Sequence, residues 1–252
     1  MSVLHTAPST AAPSTAMVLA AGLGLRMRPL TIDRPKPLIP VAGKPMLDHA
    51  LDRLAEAGVA TAVVNTHYKG RMIADHLRDR TAPRIVLSPE DDLLETGGGI
   101  RHALPLLGTA PILTVNADML WLDGQHPAVT RLAEGFDPER MDALLLLMPT
   151  AGAFGYAGAG DFHLDPEGRL TRRAPEGVAP FVYAGVQIVK PALFAEDTPD
   201  AFSTNLIWDR AQAQGRLFGL RHDGLWFHIG TPEALAETEA HLRAKPSFRP
   251  ET

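Results

Sequence analysis

Between residues 16 and 148 short apolar runs of strand length alternate with longer runs of helical spacing, and few architectures accommodate that rhythm. The run 16–20 leads straight into a glycine loop, and 45–57 reads as a helix with proline at its start, apolar residues at 46, 47, 50, 51 and 54, and Gly58 as its stop. Strands at 61–65, 84–88, 111–115 and 142–148 then alternate with helices at about 69–79, 95–107 and 127–135. Strand, helix and strand joined by short loops predict a mostly parallel sheet covered on both faces. After residue 150 the rhythm changes. A glycine-rich stretch precedes two short runs, 161–164 and 169–173, joined by Asp165-Pro166-Glu167-Gly168, a hairpin turn. A long strand at 181–189, a helix at 203–214, strands at 216–221 and 225–229 and a helix at about 232–244 follow. The prediction is one α/β domain over 17–250, its halves dividing near 150 and 151, with an antiparallel insertion in the second.

The first sixteen residues are small, polar and proline-rich, and they lack the basic start and apolar core of a signal peptide. They read as a disordered tail, or as an upstream extension of a chain that starts at Met17. Composition narrows function by exclusion. The net charge of −5 over 252 residues supplies no basic footprint for nucleic acid. The longest apolar runs are strand-sized, far short of a membrane span of roughly 20 residues. The absence of cysteine excludes disulfides, thiolate catalysis and cysteine-held metal sites, and it fits a cytoplasmic protein. Apolar content of 45% is normal for a core of this size, so a monomer and a small homo-oligomer both remain open.

The loop after the first strand, Leu19-Ala20-Ala21-Gly22-Leu23-Gly24-Leu25-Arg26-Met27-Arg28-Pro29-Leu30-Thr31, carries the chemistry. Glycines let the backbone turn with its N–H groups facing one concavity, a ready anion nest. Arg26, Arg28 and Lys36 add positive charge, and Pro35 and Pro37 stiffen the chain on either side of the lysine. Two rival phosphate motifs fail on the letters. The dinucleotide fingerprint needs glycine where Met27 stands, and Gly43-Lys44 is followed by Pro45 rather than the hydroxyl residue of a P-loop. Asp118 closes the strand at 111–115, where open parallel sheets place their ligand crevice, and a hard carboxylate there suits Mg²⁺.

The thirteen-residue string and the following Pro35-Lys36-Pro37-Leu38 closely resemble the signature of the sugar-1-phosphate nucleotidyltransferases, and the resemblance runs from 17 to about 244. Ser88-Pro89-Glu90, Leu94-Glu95-Thr96-Gly97-Gly98-Gly99-Ile100 and Gly160-Asp161-Phe162 are most similar to the N-acetylmuramate-1-phosphate uridylyltransferase branch. That resemblance implies a Rossmann-like three-layer sandwich, the nucleotide-diphospho-sugar transferase fold. It implies attack by a sugar-1-phosphate oxygen on the α-phosphorus of UTP, releasing pyrophosphate in a cell-wall recycling step. Arg26 then grips the leaving pyrophosphate, Lys36 neutralises the α-phosphate and Asp118 holds the metal. Leu19, Ala20, Ala21, Gly22, Gly24, Glu90 and Gly98 would contact the nucleotide. Asn116, Glu95, Asp161, Tyr183 and Gly185 would contact the sugar half of the substrate. Asp161 reads equally well as a turn residue.

Two departures stand out. The family usually carries Trp-x-Asp-x-Gly-Thr, with the aspartate as second metal ligand, whereas here Trp226-Phe227-His228-Ile229-Gly230-Thr231 puts an imidazole there. Imidazole is a poor Mg²⁺ ligand. Either His228 hydrogen-bonds a phosphate or a water on the metal, or the site favours Mn²⁺ or Co²⁺. The Glu-Lys-Pro string that many relatives use to hold the sugar phosphate is also absent, with Arg172 and Arg173 as candidate substitutes. The remaining alternatives are another pair, such as mannose 1-phosphate with GTP, and a non-catalytic nucleotide-sugar binding protein. About 230 folded residues leave no room for the β-helix appended to some relatives, so a transferase-only enzyme is expected.

Overall fold

The computed structural model describes residues 12–195 and 197–244. The first half runs β1 (Thr15–Leu19), β2 (Pro40–Val41), β3 (Lys44–Pro45), α1 (Met46–Glu56), β4 (Thr61–Thr66), α2 (Gly70–Leu77) and β5 (Arg84–Pro89). It continues with α3 (Glu95–Leu107), β6 (Ile112–Asn116), β7 (Met119–Leu122), α4 (Ala128–Gly135) and β8 (Ala143–Pro149). The second half holds β9 (Ala153–Phe154), β10 (Phe162–Leu164), β11 (Leu170–Arg172), β12 (Phe181–Val189) and α5 (Ala192–Ala195). It ends with α6 (Asn205–Ala213), β13 (Leu217–Arg221), β14 (Leu225–His228) and α7 (Pro232–Arg243).

The central sheet runs β13-β8-β12-β6-β1-β4-β5, with the β10–β11 hairpin joined to the start of β12. β12 is antiparallel to both β6 and β8, and the other six strands share one direction. β12 therefore sews the second half of the chain into the middle of the first. The alternation along β8 shows why both faces must be covered. Leu144, Leu146 and Met148 enter one cluster with Leu47, Leu51, Ile73 and Leu132 from α1, α2 and α4. Ala143, Leu145 and Leu147 enter the opposite cluster with Ile100, Phe194, Ile207 and Trp208 from α3, α5 and α6. The result is the expected three-layer sandwich.

Three features depart from the sequence reading. β1 begins at Thr15, and the Ser14 carbonyl accepts bonds from the Ala60 and Thr61 N–H groups at 2.9 and 3.0 Å. Thr15, expected in the tail, thus belongs to the sheet and Ser14 ties it to the head of β4, while 1–11 lie outside the described residues. β7 was not expected at all. It pairs with β14, which pairs with β9, and this small second sheet stands beside the main one. The four-residue helix α5 was also unforeseen. Among the described residues no helix is long and apolar enough to cross a membrane.

Candidate active site

Leu19 and Ala20 at the end of β1, Asn65 in β4, Glu90 after β5 and Asn116 in β6 all line one cleft at the carboxyl edge of the parallel strands. The groove there has three lobes. A central lobe of about 400 Å³ shares Gly22, Lys36, Leu93 and Asp118 with a lobe of about 260 Å³ along the glycine loop. Through Asn116 it meets a third lobe of about 220 Å³ walled by Tyr156, Asp161, Tyr183, Trp226 and His228. Asn116 and Asp118 stand where the three come together.

Local sequence explains the glycine-loop lobe. Gly24 takes a left-handed φ of +63°, and a Cβ there would meet Lys36 and Thr31 side-chain carbons at 3.0 Å. The turn closes with the Thr31 hydroxyl donating to the Gly24 carbonyl at 2.9 Å. Met27, in the place where a dinucleotide fingerprint would need glycine, is wholly buried beside Phe227 and Ile229 and pins the turn to the small sheet. Arg26 points into this lobe, whereas Arg28 lines none of the three. Lys36 is nearly buried, and its Nζ donates to Asp118 Oδ2 at 2.8 Å.

His228 enters the group from β14, directly opposite Met119 in the register with β7. Its ring lies parallel to Trp226, and a Cβ on Gly230 would sit 3.2 Å from its Nε2 and 3.5 Å from Arg26 Nη1. The side chains of Arg26 and His228 thus close around a glycine. Burial holds the imidazole below its ordinary pKa; Asp118 pulls the other way, and Lys36 and Arg26 add to the lowering. The ring is neutral at pH 7. Among the described residues no three acidic or imidazole groups gather into a ready metal cage. Asp118, a third exposed and with one oxygen on Lys36, is the carboxylate available to a hard cation.

The central lobe contains a polar pair of which the sequence reading named only Glu90. Asn65 Oδ1 accepts from the Ala20 N–H at 2.6 Å, and its Nδ2 donates to Glu90 Oε1 at 2.6 Å. Both side chains are almost fully buried. Glu95 lines the lobe at a φ of +60°, an unusual backbone for a residue with a side chain. The glycine triplet serves a different purpose from the one expected. Gly97 and Gly98 donate their N–H groups to the Phe202 carbonyl at 2.8 and 3.1 Å, and the Phe202 ring fills the space where a Gly97 side chain would stand. Gly98 lines none of the lobes, and the close approach there is made by the chain's own segment at 198–202, which Arg101 clamps through the Thr198 and Pro199 carbonyls.

In the third lobe, Asp161 holds the backbone of β12. Its Oδ2 accepts from the Tyr183 N–H at 2.9 Å, and its carboxylate also walls the lobe. Burial drives the Tyr183 phenol far above its usual pKa, and the ring packs against Trp208 at 4.8 Å. Gly185 lines no lobe; it sits at φ +83° where the β12 register shifts, and a Cβ there would lie 2.8 Å from Met119 Cγ. The candidate phosphate anchors are also spent elsewhere. Arg172 pairs with Asp209 at 2.7 Å, and Arg173 donates to the Gly160 and Gly177 carbonyls. Tyr156 and Trp208 went unremarked in the sequence, although a tyrosine inside the glycine-rich 151–160 segment was a usable signal.

Fold and groove define a nucleotidyltransferase: residues 16–155 match the MobA-like NTP transferase domain, and the chain belongs to that family. Within it, the chain is 48% identical to the N-acetylmuramate alpha-1-phosphate uridylyltransferase of Caulobacter vibrioides, across 92% of this chain and 98% of that one. The enzyme of the same name from Neisseria meningitidis is 40% identical across 89% and 96%. The mannose-1-phosphate guanyltransferase of Yarrowia lipolytica is more distant, at 26% across 93% of this chain and 66% of its own length. In fold, the UDP-glucose pyrophosphorylase from Acinetobacter baumanii superposes with a TM-score of 0.76 at 15% identity, across 93% and 95%.

Proposed function

We propose that the chain transfers a uridylyl group from UTP to N-acetylmuramate 1-phosphate, giving UDP-N-acetylmuramate and pyrophosphate. The observation that carries this reading is the meeting of three lobes at Asn116, Asp118 and Lys36. A triphosphate laid along the glycine loop puts its β- and γ-phosphates against Arg26 and its α-phosphate beside Lys36. The nucleoside then fills the central lobe, with the base at its Glu90 end. A sugar 1-phosphate in the third lobe brings its phosphate oxygen to the α-phosphorus from the side opposite the leaving pyrophosphate. The protein forms no bond to substrate; it aligns the reactants and neutralises charge. Lys36 leaves Asp118 for the α-phosphate as negative charge builds there, and His228 stands beside Arg26 at the edge of the phosphate site.

Asp118 would hold a Mg²⁺ ion beside the substrate phosphates, with Mn²⁺ or Co²⁺ as alternatives suited to the nearby imidazole. When bound, such an ion supplies further neutralisation of phosphate charge. A cytoplasmic role in peptidoglycan recycling follows from the substrate.

The test is pyrophosphate release with N-acetylmuramate 1-phosphate, mannose 1-phosphate and glucose 1-phosphate crossed against UTP and GTP in the presence of Mg²⁺. Release confined to N-acetylmuramate 1-phosphate with UTP is the expected result. Release only with another pair keeps the chemistry and replaces the substrate. No release with any pair, repeated with Mn²⁺, turns the reading to a nucleotide-sugar binding protein.

A further inference from the structure

The geometry points to Asn65 as the residue that sets nucleotide choice, by occupying one oxygen of Glu90 and leaving a single acceptor for the base. This rests on the proposed function, in which the base lies at the Glu90 end of the central lobe. The orientation of the Asn65 amide is fixed by its partners. The Ala20 N–H is a donor and must meet Oδ1, so Nδ2 is turned to Glu90 Oε1. The reverse orientation would set two donors against each other and an amide oxygen against a carboxylate. Gly99 makes room for the pair, since a Cβ there would lie 2.7 Å from Glu90 Oε1 and 2.8 Å from Asn65 Nδ2. What remains for a ligand is Oε2, whose one protein contact is a long 3.4 Å approach of the Leu94 N–H.

A lone acceptor discriminates among bases by their donor edges. Uracil presents one imino N–H between two carbonyls and matches it. Guanine presents an imino N–H and an adjacent amine, a pair that suits a carboxylate with both oxygens free. Cytosine places a ring acceptor where uracil has its donor, and meets Oε2 lone pair to lone pair. A second consequence follows from the fixed amide. In Glu90→Gln the new side chain keeps Oε1 on Asn65 Nδ2, so its own NH₂ takes the place of Oε2 and offers a donor to the ring nitrogen of cytosine.

The test is calorimetric binding of UTP, GTP and CTP, with Mg²⁺, to the wild type, Asn65→Ala, Glu90→Gln and the double variant. In Asn65→Ala the affinity for GTP relative to UTP is expected to rise about tenfold, the scale of one hydrogen bond to a charged group. In Glu90→Gln the affinity for CTP relative to UTP is expected to rise by about the same factor. The double variant should lose that CTP gain, because Asn65 Nδ2 no longer holds the amide oxygen inward and the Leu94 N–H draws it to the outer position instead. A merely structural Asn65 would weaken all three nucleotides alike, and unchanged ratios in both single variants overturn the inference. If Asn65→Ala does not fold, Glu90→Gln decides alone: an unchanged ratio of CTP to UTP overturns it. Binding ratios do not depend on turnover, so a wild type inactive with N-acetylmuramate 1-phosphate and UTP would count against the proposed function and leave this comparison to stand or fall separately.

Discussion

Lys36 comes to the groove already paired, its ammonium 2.8 Å from an Asp118 that is itself partly exposed. Replacing it should therefore cost little stability and much rate. Lys36→Met is expected to lower the rate of pyrophosphate release about 100-fold or more, the scale of removing one preorganised charge, while the melting temperature stays within a few degrees. Arg28→Ala, from a side chain outside all three lobes, should leave release within about twofold of wild type. Glu95 makes the opposite trade. At φ +60° it carries left-handed strain that glycine would not, so Glu95→Gly is expected to stabilise the protein by about 0.5–1 kcal/mol. The same change removes a side chain from the central lobe and should raise the KM for substrate. Thermal melts and steady-state kinetics on one preparation separate the two effects. Charged residues of the site were legible in sequence because a cation or carboxylate beside a glycine loop has few purposes. Gly98 and Gly185 were not, because a glycine reports only that something approaches closely. At Gly98 that neighbour is the 198–202 segment, and at Gly185 it is Met119.

Among the elements, the β7–β14 pair was the least legible and matters most to the site, since it sets His228 opposite Met119 beside Asp118. Asn116-Ala117-Asp118 reads as the end of one strand, and a four-residue strand that starts just after it has too few residues to show a period of two. What ties this pair together is a buried histidine. His222 is 2% exposed, with Nε2 at 3.1 Å from the Leu122 carbonyl and 3.2 Å from that of Leu225, and Nδ1 has no partner among the described residues. Burial lowers its pKa, against the opposing pull of the Leu225 and Leu122 carbonyls and of Asp123 and Asp223. The unfolded chain takes up a proton here below about pH 6.5 while the folded one does not. The stability due to a neutral His222 is thus complete above pH 6.5 and is lost as pH falls toward the depressed folded value. His222→Gln can still donate to a carbonyl and cannot titrate. Urea midpoints at pH 7.5 and 5.5 should show wild type losing about 1 kcal/mol more than this variant over that interval. Equal losses in the two proteins would remove His222 from the account.

At the scale of the whole molecule, the alternation of strand and helix was enough to predict a parallel sheet with two covered faces, because that pattern is local. The insertion of β12 between β6 and β8 was not readable, since pairing between strands so far apart in the chain leaves no mark on the period of either strand. The start of the fold was misjudged for a related reason. Residues 12–16 are small and polar enough to pass for tail, yet β1 lies between β4 and β6 and holds both neighbours from Thr15 or Ala16 onward. A chain that begins at Met17 loses Ser14, whose carbonyl accepts two bonds from the head of β4, and loses the fully buried Ala16. It also places a charged amino terminus on Met17, a residue with no exposed surface, and an unpaired charge in such a position costs several kcal/mol. The Met17-start protein is expected to melt roughly 10 °C below the full chain, at about 2–4 °C per kcal/mol for a domain of this size. Equal melting temperatures would mean that β1 closes its pairing from Met17 onward, and that residues 14–16 follow the sheet without supporting it.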